Sequence, residues 1–268
     1  MTEVWTFALI TPDGVVSDAF DSIVDLLQRN GFVVVTGRVL QLDLPTMMRV
    51  YRASEAVAPQ NDPFARLYSS GPACLLLLHR ADGDACATLT RCKGATRPDE
   101  AEPGTVRYLG ENVILNLLHC PDDPANATRE LSILVGPEAA EQYRAAAVSG
   151  VLRGAAALRA SLPATHGWEA ISYPVAVNRI RRRIGQQFAP GDEGLQAALD
   201  EERDRIAACR TSGERRLVAE QANPSIQRML TSLGVGKLAG APPDQTALAE
   251  HGIFVSALEK LVLDTHDG

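Results

Sequence analysis

VWTFALITPDGV, residues 4–15, sets an apolar, β-prone run against a Pro-Asp-Gly turn signal, and its reading decides the fold. Val4 to Ile10 reads as a strand that stops at Pro12-Asp13-Gly14. From Asp18 onward Phe20, Ile23, Val24, Leu26 and Leu27 recur at helical spacing, and Asn30-Gly31 ends that helix in the manner of a C-cap. Phe32 to Leu42 is rich in β-branched residues and reads as a second strand. A helical region covers Pro45 to Ser69, interrupted by a loop at Ala58 to Pro63. Ala73 to Leu78 is a continuous apolar run, as in a strand buried on both faces. Ala81 to Arg91 reads as another helix and Glu130 to Val135 as the final strand. The order β-α-β-α-β-α-β predicts an α/β fold, an α+β sandwich of the ferredoxin-like, split βαβ type.

Beyond Pro137 the character changes. Glu138 to Leu162 is Ala-rich with helical periodicity, and further helical segments follow at Pro174 to Phe188, Leu195 to Cys209, Glu214 to Leu233 and Gln245 to Leu263. Pro190-Gly191 and Gly240-Ala241-Pro242-Pro243 break the pattern. The expected organisation is one domain over residues 1–145 and a second, mainly α-helical domain over 146–268. Arg179-Ile180-Arg181-Arg182-Arg183 reads first as a solvated helix face. Its functional version is an arm reaching a phosphate or an acidic partner.

The 268 residues are 46% hydrophobic and 22% charged, which is globular composition. A net charge of -7 and a pI near 5.3 give the whole chain no attraction for nucleic acid or anionic lipid. The five cysteines are odd in number and form no CxxC pair, the pattern of reduced cytoplasmic thiols and not of a disulfide framework or zinc site. His166, His251 and His266 lack metal-ligand spacing, so no protein-held metal is expected. The first residues lack the basic start and long apolar core of a signal peptide, and no stretch approaches the roughly 20 apolar residues that span a bilayer. The expectation is a cytoplasmic protein without a membrane segment.

The chemistry gathers around Asn116-Leu117-Leu118-His119, with Glu130 downstream and the long loop Cys92 to Asn112 upstream. That loop carries Lys93, Thr96, Arg97, Thr105 and Arg107, and long irregular loops in compact domains are usually functional. A neutral histidine is a good phosphoryl acceptor when a partner holds its other ring nitrogen and stabilises the cation that forms. Glu130 is placed to be that partner if the chain folds back.

Thr11-Pro12-Asp13-Gly14-Val15 resembles the KPDGV opening of nucleoside diphosphate kinases. Asp62-Pro63-Phe64 with Ser70-Gly71-Pro72 resembles that family's RPFF…SGP. Gly94-Ala95-Thr96-Arg97-Pro98 is similar to its GxTNP, and Pro103-Gly104-Thr105-Val106-Arg107 to its PGTIR. Asn116 to His119 resembles the NxxH signature, with Glu130 at the family's spacing beyond it. The resemblance runs in order from Trp5 to Tyr143. It implies an enzyme, a phosphotransferase that moves the terminal phosphate of a nucleoside triphosphate through a phosphohistidine at His119 to a nucleoside diphosphate or related acceptor. It further implies that Phe64 stacks on the base, that Thr96 and Arg107 bind phosphate oxygens, and that Asn116 bonds the sugar hydroxyl. Tyr51 would sit beside the histidine, and Arg91 is the nearest match to another phosphate-binding arginine. Mg²⁺ would bridge the phosphates.

Some positions depart from the family. The lysine of KPDG is Thr11, the glycine after the histidine is Cys120, and the serine after that is Pro121. Arg107 to His119 is one residue shorter. Two alternatives therefore stand beside the kinase: a nucleotide-binding sensor or partner module with impaired catalysis, and an enzyme reusing the site for nucleotidyl transfer or hydrolysis. Cys120 is also a candidate reactive thiol. The family's single-domain members form closed oligomers, and an added domain of this size would cover some of that surface. The expected assembly is a smaller homo-oligomer, a dimer.

Overall fold

A computed structural model of the chain describes residues 4–51, 63–149, 155–163, 165, 167–209, 212–221, 223–235 and 244–265. The loop expected at 58–62, the break at 240–243, His166 and His266 lie outside the described residues. The chain divides into two compact units, Met1–Trp168 and Glu169–Gly268.

The first unit is built on β1 (Trp5–Ile10), α1 (Pro12–Val16), α2 (Phe20–Arg29), β2 (Val33–Leu40), α3 (Leu44–Tyr51), α4 (Pro63–Ser69), β3 (Ala73–His79), α5 (Ala85–Lys93) and β4 (Leu118–His119). Three helices follow, α6 (Pro124–Val135), α7 (Pro137–Ser149) and α8 (Ala155–Ser161). The strands form one antiparallel sheet in the order β2-β3-β1-β4. Because β3 lies between β1 and β2, the split βαβ expected from the sequence is borne out.

Alternation in β1 and β3 decides what each face meets. Trp5, Phe7 and Leu9 share a core with Ala73, Leu75 and Leu77 of β3, Met47 and Val50 of α3, and Leu131 and Leu134 of α6. Burying eight or more large side chains this way is the main stabilising term for the unit, at roughly 1.5–3 kcal/mol for each. The other face is covered by α2 and α5, which explains why β1 is buried along its whole length. Gly37 of β2 is opposite Leu76, and Leu158 of α8 packs where its side chain would be. Arg159 then pins α8 to Asp18 and Asp21 at 2.7 and 3.2 Å. The Ala-rich stretch after residue 145 thus continues the first unit through α8, and the division between units falls at Trp168.

The final strand expected at Glu130 to Val135 is instead part of α6. Asp123 caps that helix by accepting from the Asn126 N–H at 2.8 Å, Pro124 opens it, and Ala127, Leu131 and Leu134 recur at helical spacing against the sheet. The fourth strand is only Leu118–His119, paired with Ile10 and Leu9.

The second unit is helical: α9 (Tyr173–Phe188), α10 (Glu193–Ala208), α11 (Ser212–Glu220), α12 (Pro224–Ser232), α13 (Gln245–Glu250) and α14 (Ala257–Asp264). Apolar Val177, Ile180 and Ile184 of α9 are buried, as are Leu195, Leu199 and Ile206 of α10. Helical segments expected as single runs over 214–233 and 245–263 are each divided in two, at the cap Asn223-Pro224 and at Gly252 to Ser256. The Ser256–Glu259 capping box starts the last helix.

Candidate active site

Pro12-Asp13-Gly14 forms α1, and its work is to hold the segment that carries His119. Asp13 is fully buried, and its Oδ2 accepts the Leu117 N–H at 2.9 Å. Burial pushes the Asp13 carboxyl up, against the bond from the Leu117 N–H that favours its charged form. Thr11 N–H donates to the Leu117 carbonyl at 3.1 Å. Leu117 itself has φ +73°, a left-handed conformation that these bonds keep in place. Gly14 is required by close approach, since a Cβ there would lie 2.6 Å from the Leu117 oxygen. The turn reorients the chain so that β4 begins at Leu118 and His119 emerges at its end.

His119 Nε2 lies 2.8 Å from Glu130 Oε2, the chain having folded back through α6. The other carboxylate oxygen accepts from Arg129 Nη2 at 2.8 Å. Arg129 also donates to the carbonyls of Arg49 and Val50 at 2.9 Å each, so it is committed to structure. With Glu130 accepting from Nε2–H, Nδ1 is the ring nitrogen that keeps the lone pair. Tyr51 stands edge-on to the imidazole at 5.2 Å between ring centres and 5.9 Å from Phe64. Its hydroxyl meets that of Tyr68 at 2.7 Å; the residue is 42% exposed, but desolvation around the hydroxyl holds the phenol above its ordinary value, so it stays neutral at working pH.

Around His119 is a cavity of about 390 Å³, within the range of small-ligand sites. Its lining includes Thr11, Tyr51, Phe64, Thr96, Arg107, Asn116 and Glu130, so these residues, singled out from the sequence, come together with His119. Arg107 is buried; its Nη1 donates to Thr96 Oγ1 at 3.0 Å and its Nη2 to the Leu118 carbonyl at 3.3 Å. Burial pulls its pKa down, although Arg107 stays a cation at neutral pH, and its buried Nε finds no acceptor. Asn116 Nδ2 donates to the Val113 carbonyl at 2.6 Å.

Arg91 is not part of the lining. It is exposed, and its Nη2 donates to Thr88 Oγ1 at 2.9 Å one turn back on α5. Two residues on, Lys93 does line the cavity. The sequence reading noted Lys93 only as a loop residue; Asp122, Asn126 and Tyr68 were also missed. Cys120 is buried, and burial pushes its thiol up despite Lys93 and Arg107 beside it, which disfavours the thiolate form. Among the described residues no group of three His, Cys, Asp or Glu side chains is arranged to hold a metal. The carboxylates of the lining are Glu130, engaged by His119, and Asp122, largely exposed. Mg²⁺, which keeps several waters and binds through substrate phosphates, is compatible with so few protein carboxylates. No described helix is long and apolar enough to cross a membrane.

A family model for nucleoside diphosphate kinase matches residues 5–140. A nucleoside diphosphate kinase of Listeria monocytogenes is 30% identical over 142 residues, which is 53% of this chain and 95% of that protein. One from Methanocorpusculum labreanum is 34% identical over 145 residues, 52% of this chain and 91% of that one. Among solved structures, the Halobacterium salinarum nucleoside diphosphate kinase in complex with CDP is 29% identical, with a TM-score of 0.44 over 50% of this chain and 87% of that one.

Proposed function

The chain belongs to the nucleoside diphosphate kinase family, and on that premise we propose that it is a phosphotransferase working through His119. The observation that carries the reading is the His119–Glu130 pair at 2.8 Å, opening on a cavity with a buried, under-partnered Arg107. In the first half-reaction the Nδ1 lone pair attacks the terminal phosphorus of a nucleoside triphosphate. The bond from phosphorus to the bridging oxygen breaks, and the nucleoside diphosphate leaves with that electron pair. Glu130 offsets the charge the imidazole gains while keeping the Nε2 proton. In the second half-reaction a terminal oxygen of an acceptor nucleoside diphosphate takes the phosphoryl group, and Nδ1 recovers its lone pair.

Thr96 and Arg107 would bind phosphate oxygens, Asn116 the sugar hydroxyl and Phe64 the base, with Tyr51 fixing the edge of the imidazole. Thr11 would contact the phosphates without charge. Arg91, exposed and bonded to Thr88, would serve only if its side chain swung away. Mg²⁺, carried on the phosphates, would spread their negative charge. The unit Met1–Trp168 would hold this apparatus and the unit Glu169–Gly268 would modify it. Reduced thiols suit the cytoplasm, and the assembly would be a homodimer. A second reading, a nucleotide-binding module with impaired transfer, draws on Thr11 and Pro121 in place of a lysine and a serine.

The test is incubation of the full chain with γ-labelled ATP and Mg²⁺, followed by detection of acid-labile label. Wild type should be labelled and His119→Ala should not. Wild type that binds ATP without taking label selects the second reading.

A further inference from the structure

Lys93 is the last residue of α5, where a lysine ordinarily lies in solvent and complements the helix dipole. Here it is only 8% exposed, and it lines the same cavity as His119, Arg107 and Thr11. Gly94 follows with φ +85°, turning the chain sharply toward Thr96 and leaving the Lys93 side chain on the cavity side. Its anionic neighbour is Asp122 at 3.5 Å, whose side chain is 80% exposed. A long ion pair to a carboxylate in water compensates a buried ammonium weakly. The other cations of the lining are differently placed: Arg129 is bound to two carbonyls and Glu130, while Arg107 donates to Thr96 and the Leu118 carbonyl. Thr11 brings no charge to this wall.

We propose that Lys93 is a substrate-binding cation of this site, meeting the terminal phosphate of the bound nucleotide and supplying the positive charge that Thr11 does not. The inference rests on the proposed function and deepens it. A polyphosphate entering the cavity gives the buried ammonium a strong anionic partner, and Asp122, at the exposed edge, gives way to it. Lysine suits the task as a compact, rotatable point charge that follows a phosphoryl group in motion.

The experiment is calorimetry of the full chain with ADP, ATP and adenosine. Lys93→Met should weaken ADP and ATP binding roughly tenfold to a hundredfold, the range for a hydrogen bond between charged groups, and leave adenosine unchanged. Lys93→Arg should stay within a few-fold of wild type, and Thr11→Lys added to Lys93→Met should recover part of the loss. Should Lys93→Met prove unstable, Lys93→Gln carries the same test. ADP bound equally by wild type and Lys93→Met overturns the assignment and leaves the nucleotide site standing. Equal losses for ADP and adenosine, or Lys93→Arg as weak as Lys93→Met, overturn it too by exposing a structural role. Wild type that binds no nucleotide removes the proposed function itself, and Lys93's role with it.

Discussion

In the unit Glu169–Gly268 the cations of α9 are met by carboxylates: Arg181 by Glu202, Arg182 by Asp200 and Arg183 by Glu259. In the unit Met1–Trp168 one cavity-wall cation, Arg129, is paired with Glu130, but Arg107 donates to a hydroxyl and a carbonyl, and Lys93 to an exposed carboxylate at 3.5 Å. The first arrangement neutralises charge within the fold, and the second leaves Arg107 and Lys93 less fully compensated. Arg179-Ile180-Arg181-Arg182-Arg183, conspicuous in the sequence as a candidate arm, is therefore spent on packing. Its members point to different carboxylates, and Arg181 is fully buried. A run of cations identifies a binding surface only where their counter-charges are absent, and the sequence does not reveal that.

The largest expected effect breaks the matched side of this comparison. Glu202 is 5% exposed, pairs with Arg181 and accepts from Asn178 Nδ2 at 2.7 Å. Glu202→Ala leaves Arg181 buried without its counter-charge, which should destabilise the helical unit by about 3–5 kcal/mol. Replacing Arg181 and Glu202 together by apolar residues of similar volume should cost far less. Chemical denaturation followed by circular dichroism reads both. If the single and double variants lose equal stability, the loss does not come from leaving Arg181 buried without Glu202.

Next in size is the unmatched side. On the proposed function Arg107→Met removes a phosphate-binding cation, and transfer from ATP should fall by about two orders of magnitude, as for the loss of one transition-state donor. Stability should fall by no more than about 1–3 kcal/mol, the cost of leaving the buried Leu118 carbonyl without this donor. Single-turnover labelling of His119, beside a thermal melt, makes the measurement. A variant that melts far below wild type would move Arg107 into the class of Arg181.

The same contrast explains what was legible in the sequence. Strands β1 and β3 were, since their apolar runs end at unambiguous turns, and so were His119, Glu130, Arg107 and Thr96, because spacing along the chain carries the motif. α6 was not: Ile133-Leu134-Val135 has strand-like local preference, and the contacts of Leu131 and Leu134 with the sheet override it. β4, two residues long, is too short for any periodicity to register. Lys93 escaped because its role comes from burial, and a lysine ending a helix before a glycine has an ordinary explanation. Arg91 was preferred as the nearer match to a motif, yet it lies on the outer side of the same helix turn.

The smallest expected effect tests whether the two kinds of charge respond differently to acid. Burial alone would raise the Glu259 carboxyl, but the bonds from Arg183 and from the Ser256 backbone and hydroxyl together outweigh it and hold the pKa below its ordinary value of 4.5. A carboxyl depressed by folding contributes stability above its unfolded value and loses it as pH falls through the folded one. Asp13 has the opposite sign: its raised carboxyl favours the folded state while protonated, and that contribution is lost as pH rises from 3.8 through its folded value. Acid should therefore weaken the Arg183–Glu259 contact while sparing the α1 support of His119. Glu259→Gln should lower stability at neutral pH by about 1 kcal/mol, the scale of a charge-assisted bond at a partly exposed arginine. The difference from wild type should then shrink below pH 4.5 and vanish once Glu259 is protonated in the folded chain. Thermal melts of the two proteins across that range provide the measurement. A gap that stays constant into strong acid would mean that the charge of Glu259 contributes nothing and that the capping box at Ser256 alone fixes α14.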